Sequence, residues 1–189
     1  MNQVLADNSL QLAAVLLTHG HVDHCGDAAA LANEHEVPVF MHSGDRAWLT
    51  HPALGLGAGT EAMLAEMGCA TLPEPRQLEL LDSVRDLQLA GIEFTVTPAP
   101  GHSPGCVLFR VADQDGPIVF TGDVVFQGSI GRTDLPGGDM SVMRDSLRDT
   151  ILGLPDDTRL LSGHGPGTTM GVERGTNPYL QTSFLEATF

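Results

Sequence analysis

The stretch THGHVDHCGD, residues 18–27, places three histidines and one aspartate within six positions, at His19, His21, Asp23 and His24. The apolar run AAVLL precedes it and predicts a buried strand that ends where the polar side chains begin. Because residues two apart in an extended segment point the same way, His19 and His21 can bind one metal ion. Asp23 and His24 can reach a second ion as the chain turns into a helix.

Three later segments each end an apolar strand in a candidate ligand beside glycine or proline. They are His102 in APGHSPG, Asp123 in VFTGDVV and His164 in LLSGHGPG. Catalytic groups collect where strands end in loops, and glycine lets the backbone turn sharply there. We expect His102 to complete the first metal site, His164 to complete the second, and Asp123 to bridge both ions through its two carboxylate oxygens. Nitrogen and oxygen ligands of this kind favour two zinc ions, with iron and manganese as alternatives.

The remaining histidines call for a plainer interpretation. A lone histidine after a strand is more often a core or capping residue than a ligand, so His35, His42 and His51 are left outside the site. Cys25 is adjacent to His24, but neighbours at the start of a helix face different directions. We therefore interpret Cys25 as a small buried side chain with no catalytic role.

Composition limits the classes of partner. The chain has 189 residues, of which 42% are hydrophobic and 17% charged, and we expect one domain over residues 1–189. Its net charge is −15 and it contains no lysine, which argues against nucleic acid and against an anionic membrane surface. The three cysteines form no CxxC pair, and the N-terminus lacks the pattern of a signal peptide, which predicts a cytoplasmic protein.

Strand and helix patterns alternate along the chain and predict a layered α/β domain. The predicted strands cover residues 13–17, 37–42, 86–91, 92–100, 107–113, 117–123 and 158–165. The predicted helices cover residues 26–34, 61–68 and 140–152, with a helical turn at 45–49 and a glycine-rich loop at 51–60. A tight turn at Gly91 and the turn DQDG predict two β-hairpins.

These motifs together resemble the metallo-β-lactamase-fold hydrolases. The segments GSIGRTDLPGGD and LLSGHGPGTTMGVERGTNPYL are similar to the short glyoxalase II-like (hydroxyacylglutathione hydrolase-like) branch of that family. The resemblance implies an αββα sandwich with a dinuclear metal site. It implies the same ligand assignment as the spacing, which is His19, His21 and His102 on one ion, Asp23, His24 and His164 on the other, and Asp123 between them.

The resemblance also implies two departures from the family. The family places several strands before the HxHxDH strand, whereas only twelve residues precede Ala13 here, so the sandwich is expected to lack its N-terminal strands. The strand at 13–17 would then have an open edge, which favours a homo-oligomer. The chain also lacks lysine and the helical domain with which full-length glyoxalase II holds glutathione, which argues against a glutathione thioester.

The expected activity is metal-dependent hydrolysis of a small-molecule thioester, or of a related ester or lactone, with Asp23 and Asp123 as catalytic residues. The alternatives are a mononuclear iron persulfide dioxygenase of the same superfamily and an inactive truncated remnant. The bridging Asp123 argues against a true β-lactamase. Arg132 and Asp134 are expected to form an ion pair that braces a turn, and Arg174 is a weaker candidate for contact with an anionic substrate.

Overall fold

Short apolar strands, separated by turns rich in glycine and proline, form two main sheets in the computed structural model, which describes residues 1–187. The strands are β1 (Val15–Leu16), β2 (Val39–Met41), β3 (Leu78–Leu80), β4 (Arg85–Leu89), β5 (Ile92–Pro98), β6 (Val107–Val111), β7 (Ile118–Gly122), β8 (Val125–Phe126), β9 (Ser129–Ile130), β10 (Arg159–Ser162) and β11 (Thr168–Thr169). The first sheet is parallel, with the order β1-β2-β3. The second has the order β11-β10-β7-β6-β5-β4, and β8 and β9 form a separate hairpin.

Short helices connect the strands and cover the outer faces of the sheets. They are α1 (Asn2–Asp7), α2 (Val22–Cys25), α3 (Ala28–His35), α4 (Ala53–Leu56), α5 (Glu61–Glu66), α6 (Met140–Ser146), α7 (Met170–Thr176) and α8 (Thr182–Leu185). A 3₁₀ turn spans Ser43–Leu49, and a π-helical segment continues α6 over Leu147–Ile151. Among the described residues, no helix combines the length and the apolar character needed to cross a membrane.

Three apolar clusters define the layers of the fold. Phe40 of the first sheet and Phe109 of the second belong to one buried cluster, so the two sheets pack face to face. Ala32 of α3 packs on the outer side of the first sheet, and Met143 of α6 packs on the outer side of the second. The order helix, sheet, sheet, helix is the expected αββα sandwich.

Most predicted elements occur in the structure, and the two predicted hairpins are antiparallel pairs, β4–β5 and β6–β7. The prediction of a loop over residues 51–60 was wrong at Ala53–Leu56, where α4 forms. A proline just before this helix starts its first turn, and the positive φ of Gly57 ends it. The expected single domain included residues 188–189, which lie outside the described residues.

One face of the second sheet carries exposed apolar side chains. Phe120 and Leu161 are cross-strand partners, and Phe120 is also opposite the buried Phe109. Cross-strand partners share a face, so both side chains lie on the face that packs against the first sheet. Phe120 is nevertheless 39% exposed and Leu161 40% exposed. Within residues 1–187, β1 pairs only with β2, so one edge of the first sheet is open.

We predict that the 189-residue chain self-associates through this apolar area and the open edge of β1. The double variant Phe120→Ser/Leu161→Ser should reduce the self-association, because it removes apolar surface that a second copy can bury. Analytical ultracentrifugation over a concentration series measures this. The matched control is Val84→Ser, which changes a residue that is 66% exposed in the short connection between β3 and β4. A wild-type chain that stays monomeric at high concentration would contradict the prediction.

Candidate metal centre

All seven predicted ligands lie together at one end of the sandwich. His19 and His21 follow β1, and α2 carries Asp23 and His24. The other three occupy loops at the ends of strands, and they are His102 after β5, Asp123 after β7 and His164 after β10. Because β7 and β10 are parallel, their carboxyl ends meet at the same edge of the sheet, next to the end of β1.

The first ligand set is the three-histidine group, which consists of His19, His21 and His102. All three side chains are buried, and one ring nitrogen of each lies within 4.8 Å of the others. The shortest of these separations is 2.8 Å, between His21 Nδ1 and His102 Nε2. Three imidazole nitrogens that point at a common centre are a typical zinc-binding arrangement.

The second ligand set is the mixed group, which consists of Asp23, His24 and His164. The Nε2 atoms of His24 and His164 are 3.2 Å apart, and His164 Nε2 is 3.2 Å from an oxygen of Asp23. The mixed group is more open than the three-histidine group, because the side chains of Asp23 and His164 are both about half exposed. It therefore forms the side of the centre that faces solvent.

Asp123 lies between the two groups, as a bridging ligand requires. One carboxylate oxygen is 3.4 Å from His24 Nε2. The other is 3.5 Å from His164 Nε2 and 3.6 Å from His102 Nε2. The carboxylate therefore faces ligand nitrogens from both groups.

Two buried polar atoms in the cluster support the fit to metal ions. His19 Nε2 and Asp123 Oδ1 are buried and have no hydrogen-bond partner in the described part of the chain. Unsatisfied buried polar atoms are costly, and both atoms point into the cluster that metal ions would fill. The donor set of nitrogen and carboxylate oxygen suits zinc, iron or manganese.

The electrostatics keep the histidines in the form that binds metal. Burial and the neighbouring His24 lower the pKa of His19 far below its ordinary range. Burial is also the main cause that lowers the pKa values of His21 and His24, although the carboxylates of Asp45 and Asp123, respectively, oppose it. Only neutral imidazole can bind a metal ion, so the fold presents these rings ready for coordination.

Outer contacts fix the ring orientations. The second ring nitrogen of His21 donates to the carbonyl oxygen of Gly55 at 3.2 Å, and the ring stacks on Trp48 with centroids 5.2 Å apart. His102 Nδ1 donates to the carbonyl oxygen of Arg132 at 2.7 Å, which leaves Nε2 for the metal. Such contacts set the tautomer and direction of a ligating imidazole.

Gly163 allows the close approach of the loop that carries His164. A Cβ atom at this position would lie 2.4 Å from a carboxylate oxygen of Asp123 and 2.4 Å from a ring carbon of His24. Any larger side chain would therefore displace two candidate ligands. This requirement explains the glycine in the motif SGHG.

The cluster lies in a cleft of about 440 Å³. Leu56 of α4, Phe126 of the β8–β9 hairpin and Leu135 provide apolar side chains in its lining. Arg132 also lines the cleft, but its guanidinium donates to both carboxylate oxygens of Asp134, at 2.6 and 2.7 Å. This ion pair confirms the predicted brace, and the arginine lowers the pKa of the Asp134 carboxyl to about 2.

Cys25 and Arg174, the other residues singled out in the sequence, make contacts that stabilise the fold and lie outside the metal centre. Cys25 is buried and its thiol donates to the carbonyl oxygen of Gly20, and burial raises the pKa of the thiol to about 12. Such a thiol is a poor nucleophile, as expected. Arg174 binds Asp156 and the carbonyl oxygens of Leu152 and Leu154, which makes it a brace of the fold.

Sequence reasoning missed the apolar residues of the cleft and one buried carboxylate below it. Leu56 lies in the segment whose glycine content predicts a loop, and Phe126 lies in a hairpin too short to show an alternating pattern. Asp45 is fully buried between the loops that carry the three-histidine group. An aspartate four residues after an apolar strand and three residues before the only tryptophan of the sequence is a weak pattern that could have drawn attention to it.

The fold and the site together agree with the sequence comparisons. The family model of the metallo-β-lactamase superfamily matches residues 3–164, and the chain belongs to this superfamily. It is 37% identical to the probable metallo-hydrolase YqgX of Bacillus subtilis and 34% identical to the hydroxyacylglutathione hydrolase GloC of Haemophilus influenzae. Each alignment covers 95% of this chain and 81% of the relative.

Two solved structures are similar over most of the chain. The BLEG-1 B3 metallo-β-lactamase superposes with a TM-score of 0.82 at 38% identity, covering 95% of this chain and 82% of that one. TTHA1623 in a di-iron-bound form superposes with a TM-score of 0.73 at 38% identity, covering 95% and 83%. The fold of this superfamily binds divalent metal ions, and TTHA1623 is the neighbour whose bound metal is given as iron.

We predict that the chain binds about two divalent ions when it is produced with sufficient zinc, and that Asp123→Ala loses one of them. Asp123 faces both groups, so its removal takes one ligand from each. The mixed group is the more exposed of the two, so we expect its ion to be the one that is lost. Inductively coupled plasma mass spectrometry of dialysed protein measures the metal content. Arg132→Ala is the matched control, because Arg132 lines the cleft without being a candidate ligand. Unchanged metal content in Asp123→Ala would rule out the bridging assignment.

We also predict that the metal-free chain loses stability as the pH falls below about 6.5, the ordinary pKa of histidine. The fold lowers the pKa of His19, so the unfolded chain takes up a proton that the folded chain rejects. The stability is fully present well above pH 6.5. At pH 5.5, proton uptake by His19 in the unfolded chain should lower the free energy of unfolding by about 1.4 kcal/mol. Urea unfolding at several pH values measures this. His19→Gln should flatten the dependence and His51→Gln should not, and equal slopes in both would contradict the prediction.

Proposed function

We propose that the chain is a metal-dependent hydrolase that cleaves small thioesters, with related esters and lactones as further substrates. The observation that carries this proposal is the position of Asp123 between the three-histidine group and the mixed group at one side of a cleft. A pair of bound divalent ions, which we propose to be zinc, would lower the pKa of water towards neutrality and polarise a carbonyl oxygen. The resemblance to the hydrolase GloC supports the choice of a thioester.

The protein side chains have three roles in this proposal. The three-histidine group and the mixed group would hold the two ions, and Asp123 would contribute its carboxylate to both sites. Asp23 is half exposed in the cleft, so its carboxylate can bind metal through one oxygen and accept a proton at the other. Phe126 and Leu135 pack against the substrate and exclude water from the reacting carbonyl.

The balanced reaction is the addition of one water molecule to the thioester, which breaks the carbon–sulfur bond and gives a carboxylic acid and a thiol. Cys25 takes no part as a nucleophile, because its thiol is buried and its raised pKa keeps it protonated at neutral pH. We further propose a cytoplasmic protein that acts on a small molecule and has no nucleic-acid or membrane partner. Its acidic charge of −15 supports that choice of partner.

We predict that zinc-loaded protein releases thiol from acyl thioesters and that Asp123→Ala reduces this activity at least about 100-fold, because the metal pair is disrupted. Thiol release is followed with Ellman's reagent on a panel of S-lactoylglutathione, neutral N-acetylcysteamine thioesters and a thiolactone. Cys25→Ser is the matched control, because it keeps a donor to Gly20 and should retain the rate.

The same panel separates the proposal from its rivals. It includes nitrocefin, because the superposed BLEG-1 structure is described as a B3 metallo-β-lactamase. It also includes a glutathione persulfide with iron-loaded protein, where oxygen uptake would indicate a dioxygenase with one metal per chain. Hydrolysis of nitrocefin alone, or oxygen uptake without thioester cleavage, would overturn the proposed function. Metal binding without any turnover would indicate an inactive member of the family.

A further inference from the structure

Asp45 is a buried carboxylate that lies directly under the metal-binding loops. It occupies the 3₁₀ turn after β2 and is 0% exposed. One oxygen accepts hydrogen bonds from the Gly20 amide at 2.8 Å and from the Ser103 hydroxyl at 2.6 Å. The other oxygen accepts from the Gly105 amide at 2.7 Å. All three of these donors are neutral.

These contacts connect the two loops that supply the three-histidine group. Gly20 lies between His19 and His21, and Ser103 and Gly105 follow His102. The side chain of Asp45 lies so close to the backbone of both loops that only glycine fits at two of the positions that donate to it. A Cβ atom at Gly20 would lie 2.6 Å from the Asp45 side chain, and one at Gly105 would lie 2.5 Å from it. A single side chain thus sets the separation of the two loops.

The charge of Asp45 is also placed to act on the metal site. Burying an ionised carboxylate among neutral donors is costly unless a cation lies nearby. The three histidines are neutral ligands, so a divalent ion bound there would keep part of its positive charge even with the carboxylate of Asp123 shared between the two sites. The field of Asp45 already reaches this group, because it opposes the effect of burial, which lowers the pKa of His21.

We infer that Asp45 is a positioning residue for the three-histidine group. It holds the two ligand loops in register and adds a buried negative charge beside the three neutral imidazoles. The inference rests on the metal centre of the proposed function. It assigns a role to the segment HSGDRAW, which the hydrolytic chemistry itself does not use.

The variant Asp45→Asn tests both parts of this role with little change in shape. An asparagine side chain has one acceptor oxygen, whereas Asp45 accepts at both ends of its carboxylate. Its amide group must therefore face either the Gly105 amide or the pair formed by Gly20 and Ser103. One ligand loop loses its contact, and the buried negative charge disappears.

Metal affinity is measured in a His164→Ala background, which removes a ligand of the mixed group and leaves the three-histidine group as the remaining site. The metal-free protein is titrated with Zn²⁺ in competition with a chromophoric chelator, and with Co²⁺ to record the visible absorption of the bound ion. Loss of a residue that supports a ligand in this way typically weakens metal affinity by about 10- to 100-fold. We expect a loss of that size for Asp45→Asn, together with a changed Co²⁺ spectrum.

Two control variants separate this role from general stability. Glu173→Gln alters another carboxylate that is 0% exposed and accepts from three donors, namely Gly128, Thr168 and Asn177. It should lower the melting temperature while the Zn²⁺ affinity of the three-histidine group stays within about threefold of the parent. Ser103→Ala removes one hydrogen bond and keeps the charge, so it should fall between the parent and Asp45→Asn.

The inference is overturned if Asp45→Asn binds Zn²⁺ as tightly as the parent, or if Glu173→Gln loses as much affinity as Asp45→Asn. These outcomes are distinct from failure of the proposed function. A wild-type chain that binds metal but cleaves no thioester would remove the function and leave the role of Asp45 intact. If the wild-type chain cleaves thioesters but Asp45→Asn leaves the metal affinity unchanged, the proposed function stands and the role of Asp45 is removed.

Discussion

The close approach of five imidazole rings and two carboxylates is the constraint on which the site depends. Ligand nitrogens of different histidines lie as little as 2.8 Å apart, and two buried polar atoms of the cluster lack hydrogen bonds in the described part of the chain. Without a cation this arrangement would be costly, because buried polar groups need partners. The fold therefore holds the candidate ligands close together and lowers the pKa values of His19, His21 and His24, which favours metal binding but lowers the stability of the metal-free chain in acid.

That constraint explains why the surrounding loops have so little freedom in sequence. Gly20 and Gly105 leave room for Asp45, and Gly163 leaves room for Asp123 and His24. These positions require glycine because another atom already occupies the space of a Cβ, whereas their backbone angles are ordinary. The loops meet because β1, β7 and β10 all end at the same side of the sandwich, so the sheets set the coarse geometry and the glycines set the final distances.

The grouping of the candidate ligands could be predicted from sequence because the motifs that carry them lie where apolar strands end, and the order of strands and helices likewise predicted the layered α/β fold. The cleft could not be predicted in the same way. Phe126 and Leu56 lie in elements of two and four residues, which are too short for a periodic pattern. Asp45 was missed because its importance comes from three contacts with residues 25 to 60 positions away, which no local pattern reports.

The negative net charge of the chain and the positive charge of bound metal ions would together influence which substrates the cleft accepts. The chain carries −15 overall, yet the metal centre concentrates carboxylates and imidazoles that only a cation can satisfy. With two divalent ions bound, the cleft would be locally positive inside a strongly acidic protein, and its lining is apolar at Leu56, Phe126 and Leu135. Arg132 adds little attraction for anions, because Asp134 neutralises it. Under the proposed function, a carbonyl compound with an apolar acyl group would fit these surroundings better than a polyanion, because the net charge of −15 opposes the approach of an anion.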